Sequence, residues 1–515
     1  MGINLRKTKE IIFKNIIHSG FYDLCQLILI IIFVPLIINK LGIIEFGLIA
    51  YLKIFSGPAG FYTLFDFGLR SFMHIEIAKL SNEKNKEKIL TLLFSNIIFL
   101  TIFASIIVII VLIYFFEPII NYLNIPPNNL QDFSKCLKVA IIFTIIELPF
   151  LLILGLFEGF QKIKNLKKYD LIFNFVFIIL SCLTLVAFQN INFTYIFYMF
   201  VIINFIKYLF IIFKLKKFKI NFLLIFNINL KILKDDLKYL LKNFKFLRNI
   251  YFAGLATNYT NYLEKIFIIV FINDIKIYAI FEVISKFPKI IKVGSAFLSL
   301  PVLSNISIFF SKQKISLVKL IYLKILKLNF IITYSLIIAI ILFAEQFLIF
   351  WINEEMAKNY FLLQVLAGYC FLSPINSIGS TTLFGCKYKT DFVLYNSLIT
   401  NFLRLAIWIS TYKYIGIWSL IISYYTNLIP TITNTYFVKQ LIKLNTFQIL
   451  LNLIKFLTID IILVFLVLSI LLKFNLDVTF NIFLAISYII ISVFFKIYSD
   501  KNIYKDFNIL IKKII

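Results

Sequence analysis

Residues 149–174 read PFLLILGLFEGFQKIKNLKKYDLIFN and residues 374–396 read PINSIGSTTLFGCKYKTDFVLYN. Each starts with a proline in an apolar run and closes that run with Leu-Phe and a glycine. Each then crosses a short basic loop and opens a second apolar run with an aspartate and an asparagine. Pro149 and Pro374 are 225 residues apart, Phe157 and Phe384 are 227, Asp170 and Asp391 are 221, and Asn174 and Asn396 are 222. Spacing this constant is what one unit used twice produces when its loops differ in length. Asn39 to Gly47 and Asn273 to Ala279 form a second, shorter pair of the same kind. Each copy holds an even number of apolar runs, so the copies are parallel, related by an axis along the membrane normal. Halves of this sort enclose a central site and alternate its access by rocking against each other.

Working outward, apolar runs of spanning length fall at about 19–38, 43–68, 89–116, 137–157, 169–188, 193–213, 249–272, 277–308, 320–350, 361–385, 391–411, 414–437, 449–472 and 478–495. Fourteen helices of about 21 residues need about 294 residues, and the composition supplies them. The 515 residues are 61% hydrophobic and 15% charged, with a mean hydropathy of +0.95. Soluble domains run at roughly 45–50% apolar and about 25% charged. A soluble enzyme is excluded, and so is a protein built around a large soluble domain. The expected fold is an all-α polytopic membrane protein of about 14 transmembrane helices, with two pseudo-symmetric six-helix bundles around a central cavity and two further C-terminal helices. Residues 1–213 form the N-terminal bundle, 214–248 a basic linker, 249–440 the C-terminal bundle, and 441–515 the two extra spans and a tail. Gly57-Pro58-Ala59-Gly60, Pro288 and Pro301 interrupt the second and eighth runs.

Fifty-two Lys and Arg oppose 25 Asp and Glu, a net +27. Because the cations sit between apolar runs, their expected partners are lipid headgroups and an anionic substrate rather than nucleic acid. With the N-terminus inside, the loops and ends carry 35 basic residues on the cytoplasmic side and the loops six on the other. This positive-inside bias puts both termini in the cytoplasm. The first run lacks a small-residue cleavage site and reads as a retained span. Two histidines and five scattered cysteines form no CxxC or HExxH pattern, so no metal, redox centre or other cofactor is expected. In the linker, residues 231–242 carry apolar side chains at helical spacing, as a surface amphipathic helix does.

Charges inside a bilayer are costly and tend to face a cavity or each other. Asp23, Lys53, Glu147, Lys207, Glu264, Lys265 and Arg404 all lie deep in apolar runs, and the eighth run holds Glu282, Lys286, Lys289 and Lys292. Spacings of four and three put Glu282, Lys286 and Lys289 on one helix face. Lys286, Lys289, Arg404 and Lys53 are the candidates for binding an anionic headgroup, with Glu282 as the supporting partner of Lys286. Asp23 and Glu147 are the carboxylates that can take up a coupling proton or sodium ion. Asp66 and Arg70, one turn apart, read as a local ion pair. The 61 Phe and 28 Tyr read mainly as lipid-facing and interfacial side chains.

Two further stretches, Leu41-Gly42-Ile-Ile-Glu45-Phe46-Gly47-Leu48 and Asp66-Phe67-Gly68-Leu69-Arg70, resemble the opening of O-antigen flippases and related polysaccharide exporters. Those families belong to the multidrug/oligosaccharidyl-lipid/polysaccharide (MOP) exporter superfamily. Leu156-Phe157-Glu158-Gly159-Phe160-Gln161-Lys162 resembles that family's loop between spans four and five. The resemblance extends over nearly the whole chain. It implies a lipid-linked oligosaccharide flippase of the bacterial inner (plasma) membrane, carrying an undecaprenyl-pyrophosphate-linked glycan for O-antigen, lipopolysaccharide or capsule biosynthesis. A lipid II flippase shares the fold, but its basic residues near the start of the first span are not clearly matched, since Asp23 stands there. A multidrug exporter of this fold would favour acidic over cationic cavity residues. A membrane glycosyltransferase or polymerase would need a large outer loop, and the longest here, about 117–136, is short. No nucleotide-binding loop occurs.

Overall fold

The structure, a computed structural model, describes residues 22, 25–26, 28–56, 69–70, 73, 86–123, 125–159, 163–188, 191–214, 264–265, 267–288, 291–292, 295, 306, 309–310, 313–386, 390–444, 446–473, 477–500 and 503–504. Asp23, Asp66, Lys289 and the linker segment 231–242 lie outside them. The chain divides into two compact units, one covering residues 17–279 and the other residues 280–515.

In the first unit the helices are α1 (Ile28–Leu41), α2 (Ile43–Phe55), α3 (Lys86–Tyr114), α4 (Phe116–Tyr122), α5 (Pro127–Gly159), α6 (Ile163–Ala187) and α7 (Phe193–Lys214). A π-helical turn, Ile268–Ile272, ends at Asn273 in the left-handed region (φ 54°). It leads into α8 (Ile275–Ile284), inside which the two units divide. Helix α5 packs on α2, α3 and α7. Its inward side chains Leu148, Leu151, Leu152, Leu156 and Phe157 join Tyr208 and Ile211 of α7 in one buried cluster. Gly42 joins α1 to α2 at φ 87°, a conformation that side-chain-bearing residues rarely adopt.

Two glycines set close approaches in this unit. A Cβ on Gly47 would lie 3.1 Å from the Ala279 Cβ and 3.2 Å from the Ile275 carbonyl oxygen, so α2 rests almost directly on the start of α8. One turn on, the Tyr51 and Tyr278 rings meet at 4.3 Å. Gly47 and Ala279 are the positions matched by the sequence repeat, so equivalent landmarks touch each other. A Cβ on Gly155 would stand 2.5 Å from the Arg70 carbonyl oxygen, so α5 lies against bare backbone there.

The second unit contains α9 (Ile315–Leu342), α10 (Ala344–Trp351), α11 (Glu354–Ala357), α12 (Tyr360–Tyr369), α13 (Ser373–Gly385) and α14 (Thr390–Ile415). It continues with α15 (Trp418–Ser423), α16 (Leu428–Ile442), α17 (Thr446–Lys473) and α18 (Val478–Ser499). Two 3-10 turns interrupt this run: Cys370–Leu372 between α12 and α13, and Tyr424–Asn427 between α15 and α16. Helix α13 packs on α16, α14 packs on α15 and α16, and α9 packs on both C-terminal helices.

Among the described residues, eight helices are long and apolar enough to cross a membrane: Pro127–Glu158, Lys164–Ala187, Phe193–Lys214, Ile315–Leu342, Tyr360–Leu383, Asp391–Ile415, Leu453–Lys473 and Val478–Ser499. Besides these 3-10 turns, the structure differs from the sequence expectation over two stretches. The stretch about 117–136 is helical over most of its length, because Pro127 at the first position of α5 starts a helix where its missing N–H costs nothing. The run 320–350 is two helices, since Phe343 leaves helical geometry between α9 and α10.

Candidate functional site

The second unit gathers a cationic-aromatic cluster where its two interrupted helices break. Tyr369 ends α12 and Tyr424 opens the second 3-10 turn, and their rings stack at 4.9 Å. Asn427, the last residue of that turn, donates to the Tyr369 hydroxyl at 2.6 Å. Lys292 places its ammonium 4.3 Å from the Tyr369 ring centre and 5.3 Å from that of Tyr424. From α14, Arg404 sits 5.6 Å from the Tyr424 ring and donates to Thr426 Oγ1 at 3.2 Å. Arg404 is only 6% exposed. Two like charges are thus held beside one ring, each gaining about 0.5–2 kcal/mol from the ring face. A 3-10 turn between helical segments often marks a functional hinge; the second turn contributes Tyr424, Thr426 and Asn427, and the first begins directly after Tyr369.

In the same unit, Lys286 is ion-paired with Glu282 at 3.3 Å, one turn back. Glu282 is buried, and the Lys286 side chain keeps about a fifth of its surface. Pro288 follows, its carbonyl facing Cys370 Sγ at 3.7 Å. Lys286 and Arg404 therefore fall in one unit, with Lys292 joining Arg404 at the tyrosine pair.

Lys53 belongs to the first unit, on α2. Its ammonium lies 4.7 Å from the Phe200 ring centre and 5.5 Å from that of Phe177, between α6 and α7. Glu147 of α5 is fully buried and accepts a hydrogen bond from the Tyr208 hydroxyl at 3.2 Å. The neighbouring Lys207, 2% exposed, pairs with Asp170 at 3.2 Å. Consecutive residues of α7, Lys207 and Tyr208, thus reach Asp170 of α6 and the coupling candidate Glu147 of α5. The two positions matched by spacing in the sequence differ in their surroundings. Asp170 holds a lysine, whereas its counterpart Asp391 is exposed, and the counterpart asparagine Asn396 donates to Thr433 at 2.6 Å. Arg70 bonds Glu158 through both Nη2 and Nε, bringing together two of the stretches that carry the family resemblance.

Sequence reading missed three features. Tyr369, Tyr424 and Asn427 were lost among the many aromatic and polar residues, and only the interruption of two helices singles them out. Asp460 was read as part of an apolar run. Lys496 was counted with the basic cytoplasmic tail, yet it is fully buried in α18 and ion-paired with Asp460 at 2.6 Å. Among the described residues no group of His, Cys, Asp and Glu could hold a metal ion.

No family model matches the chain, and no curated protein matches it. Solved structures do. The lipid II flippase MurJ in an inward closed conformation superposes with a TM-score of 0.68 at 14% identity, covering 94% of this chain and 99% of that one. An inward-facing multidrug resistance MATE family transporter of the MOP superfamily gives 0.61 at 14%, over 82% and 94%. A MOP superfamily transporter from Pyrococcus furiosus, described as having a binding pocket of reverse polarity, gives 0.57 at 13%, over 84% and 96%. The chain thus shares its fold with transporters of the MOP superfamily.

Proposed function

We propose that the chain is a flippase that moves an undecaprenyl-pyrophosphate-linked oligosaccharide from the inner to the outer leaflet of the bacterial plasma membrane by alternating access. The product feeds a surface polysaccharide, O-antigen or capsule, and both termini are cytoplasmic. The observation that carries this reading is the pair of cations, Lys292 and Arg404, held on the stacked Tyr369 and Tyr424 rings. A pyrophosphate needs cationic donors in a low-dielectric site, where each charge counts for far more than at a surface. Lys286 and Lys289 are the additional headgroup ligands, with Glu282 orienting Lys286, and Lys53 serves from the N-terminal half. Asp23 and Glu147 are the carboxylates through which a proton or sodium gradient drives the cycle. The four-part division at 213, 248 and 440 is the domain plan that goes with it.

The nearest competing substrate is lipid II, since one structure of this fold is a lipid II flippase. Purified protein in liposomes loaded with either lipid-linked oligosaccharide or lipid II separates the two. Outward exposure of the oligosaccharide, lost in Lys286→Ala protein that still inserts normally, supports the proposal. Movement of lipid II alone replaces it, and movement of neither refutes it.

A further inference from the structure

At one buried point the last two helices meet α9 through a cluster of polar side chains. Asp460 of α17 stands 2.6 Å from the Lys496 ammonium of α18. The same carboxylate accepts from Ser492 Oγ at 2.6 Å and from the Tyr488 hydroxyl at 3.1 Å. Lys496 also donates to Ser335 Oγ of α9 at 2.9 Å, and Ser335 Oγ lies 2.7 Å from Ser492 Oγ. The contacts close into a ring running from Lys496 to Asp460, Ser492, Ser335 and back to Lys496. Asp460, Lys496, Ser335 and Ser492 are each 0% exposed; around them lies apolar packing led by Ala339, Phe343, Val467 and Tyr488, and Lys327 of α9 pairs with Asp500 at the end of α18 at 2.6 Å.

The ammonium rests on two oxygens, Asp460 Oδ2 and Ser335 Oγ, while the Ser492 and Tyr488 hydroxyls fix the carboxylate through its other oxygen. Oxygen donors of this kind suit a hard monovalent cation. Here the cation is the protein's own ammonium. Apolar packing gives lipid-embedded helices little preference for one another, so polar contacts carry much of the specificity.

We infer that Asp460 and Ser335, with the carboxylate fixed by Ser492 and Tyr488, form a monovalent-cation site permanently filled by the tethered Lys496 ammonium, which latches α17 and α18 onto α9. Removing the tether vacates the site for a small free cation.

The test uses full-length protein in detergent, melted in choline chloride and in sodium, potassium or methylammonium chloride. Wild type melts at the same temperature in all four. Lys496→Ala in choline melts lower by on the order of 5–10 °C, the effect of leaving one buried charge unpaired. It regains at least half of that loss in methylammonium or in one of the alkali salts. Asp460→Asn falls similarly and regains nothing in any salt, because the anionic donor is gone. Asp460→Asn/Lys496→Met, which removes both charges, melts within about 3 °C of wild type in every salt. If Lys496→Ala is too unstable to melt, recovery of monodisperse protein extracted with or without methylammonium is read in its place. Lys496→Ala that no cation restores, or that melts like wild type in choline, overturns the inference. Restoration of Asp460→Asn by the same cations overturns it as well, since the rescue would then come from general salt effects.

Discussion

Replacing Arg404 by Gln separates a substrate-binding cation from a structural one. Lys292 and Arg404 lie 5.3 and 5.6 Å from the centre of the Tyr424 ring, so the two charges are no more than about 11 Å apart. At an effective dielectric of about 20 their repulsion is then at least about 1.5 kcal/mol. The ring returns about 0.5–2 kcal/mol to each cation, and Thr426 adds a hydrogen bond to Arg404. Without an anion these terms nearly cancel, so Arg404→Gln is expected to change stability by no more than about 1 kcal/mol. With a pyrophosphate between them, repulsion becomes shared attraction. A charged hydrogen bond contributes about 1.5–3 kcal/mol, which is about 10- to 150-fold in Kd. The assay is binding of inorganic pyrophosphate and of a pyrophosphate lipid to full-length protein in nanodiscs, followed by tyrosine fluorescence, alongside a thermal melt. Lys292→Gln should weaken binding comparably, and the double variant should abolish it. Affinity unchanged within about twofold, together with a melting point lowered by several degrees, would mean that Arg404 only braces the tyrosine pair.

Gly155→Ala should lower the melting temperature. Alanine gains about 1 kcal/mol of helix propensity, but a Cβ at 2.5 Å from the Arg70 carbonyl forces α5 outward at about 1–3 kcal/mol. An unchanged or higher melting point would show that the backbone at Arg70 yields freely. Glu147→Gln should abolish any stimulation of flipping by a proton or sodium gradient, whereas Tyr208→Phe, which removes one hydrogen bond, should only weaken it. Equal rates with and without every gradient in wild type would make Glu147 structural. Reporter fusions at about 125 and at about 165 should report opposite sides of the membrane, the second cytoplasmic, and matching sides would refute the helix map.

The helices that carry the fold were legible because a bilayer leaves few alternatives: an apolar run of about 20 residues must hydrogen-bond to itself. Landmark spacing suggested a repeat, and Gly47 and Ala279, one of the pairs it matched, lie in contact. Deep charges were legible one at a time because each is expensive. Their partners were harder to read. Glu282 and Lys286 are four residues apart, where spacing decides, whereas Lys207 with Asp170 and Lys496 with Asp460 join different helices. Periodicity says nothing about which helix lies beside which. The tyrosine pair was invisible for a further reason: no sequence signal announced that the runs at 361–385 and 414–437 contain 3-10 turns.

The buried Asp460–Lys496 contact also bears on how the chain enters the membrane. Asp460 sits mid-way along α17, and a carboxylate at such a depth opposes insertion of an isolated helix by about 2.5–3.5 kcal/mol. Lys496 lies only three residues from the end of α18, where its long side chain can reach the interface at little cost. The translocation machinery therefore meets the unfavourable residue first and its neutralising partner some 36 residues later. A chain ending between the two helices would carry an exposed acidic group within the lipid, a mark that membrane quality control degrades. Release of α17 into the bilayer should wait for α18, the two entering together as a hairpin.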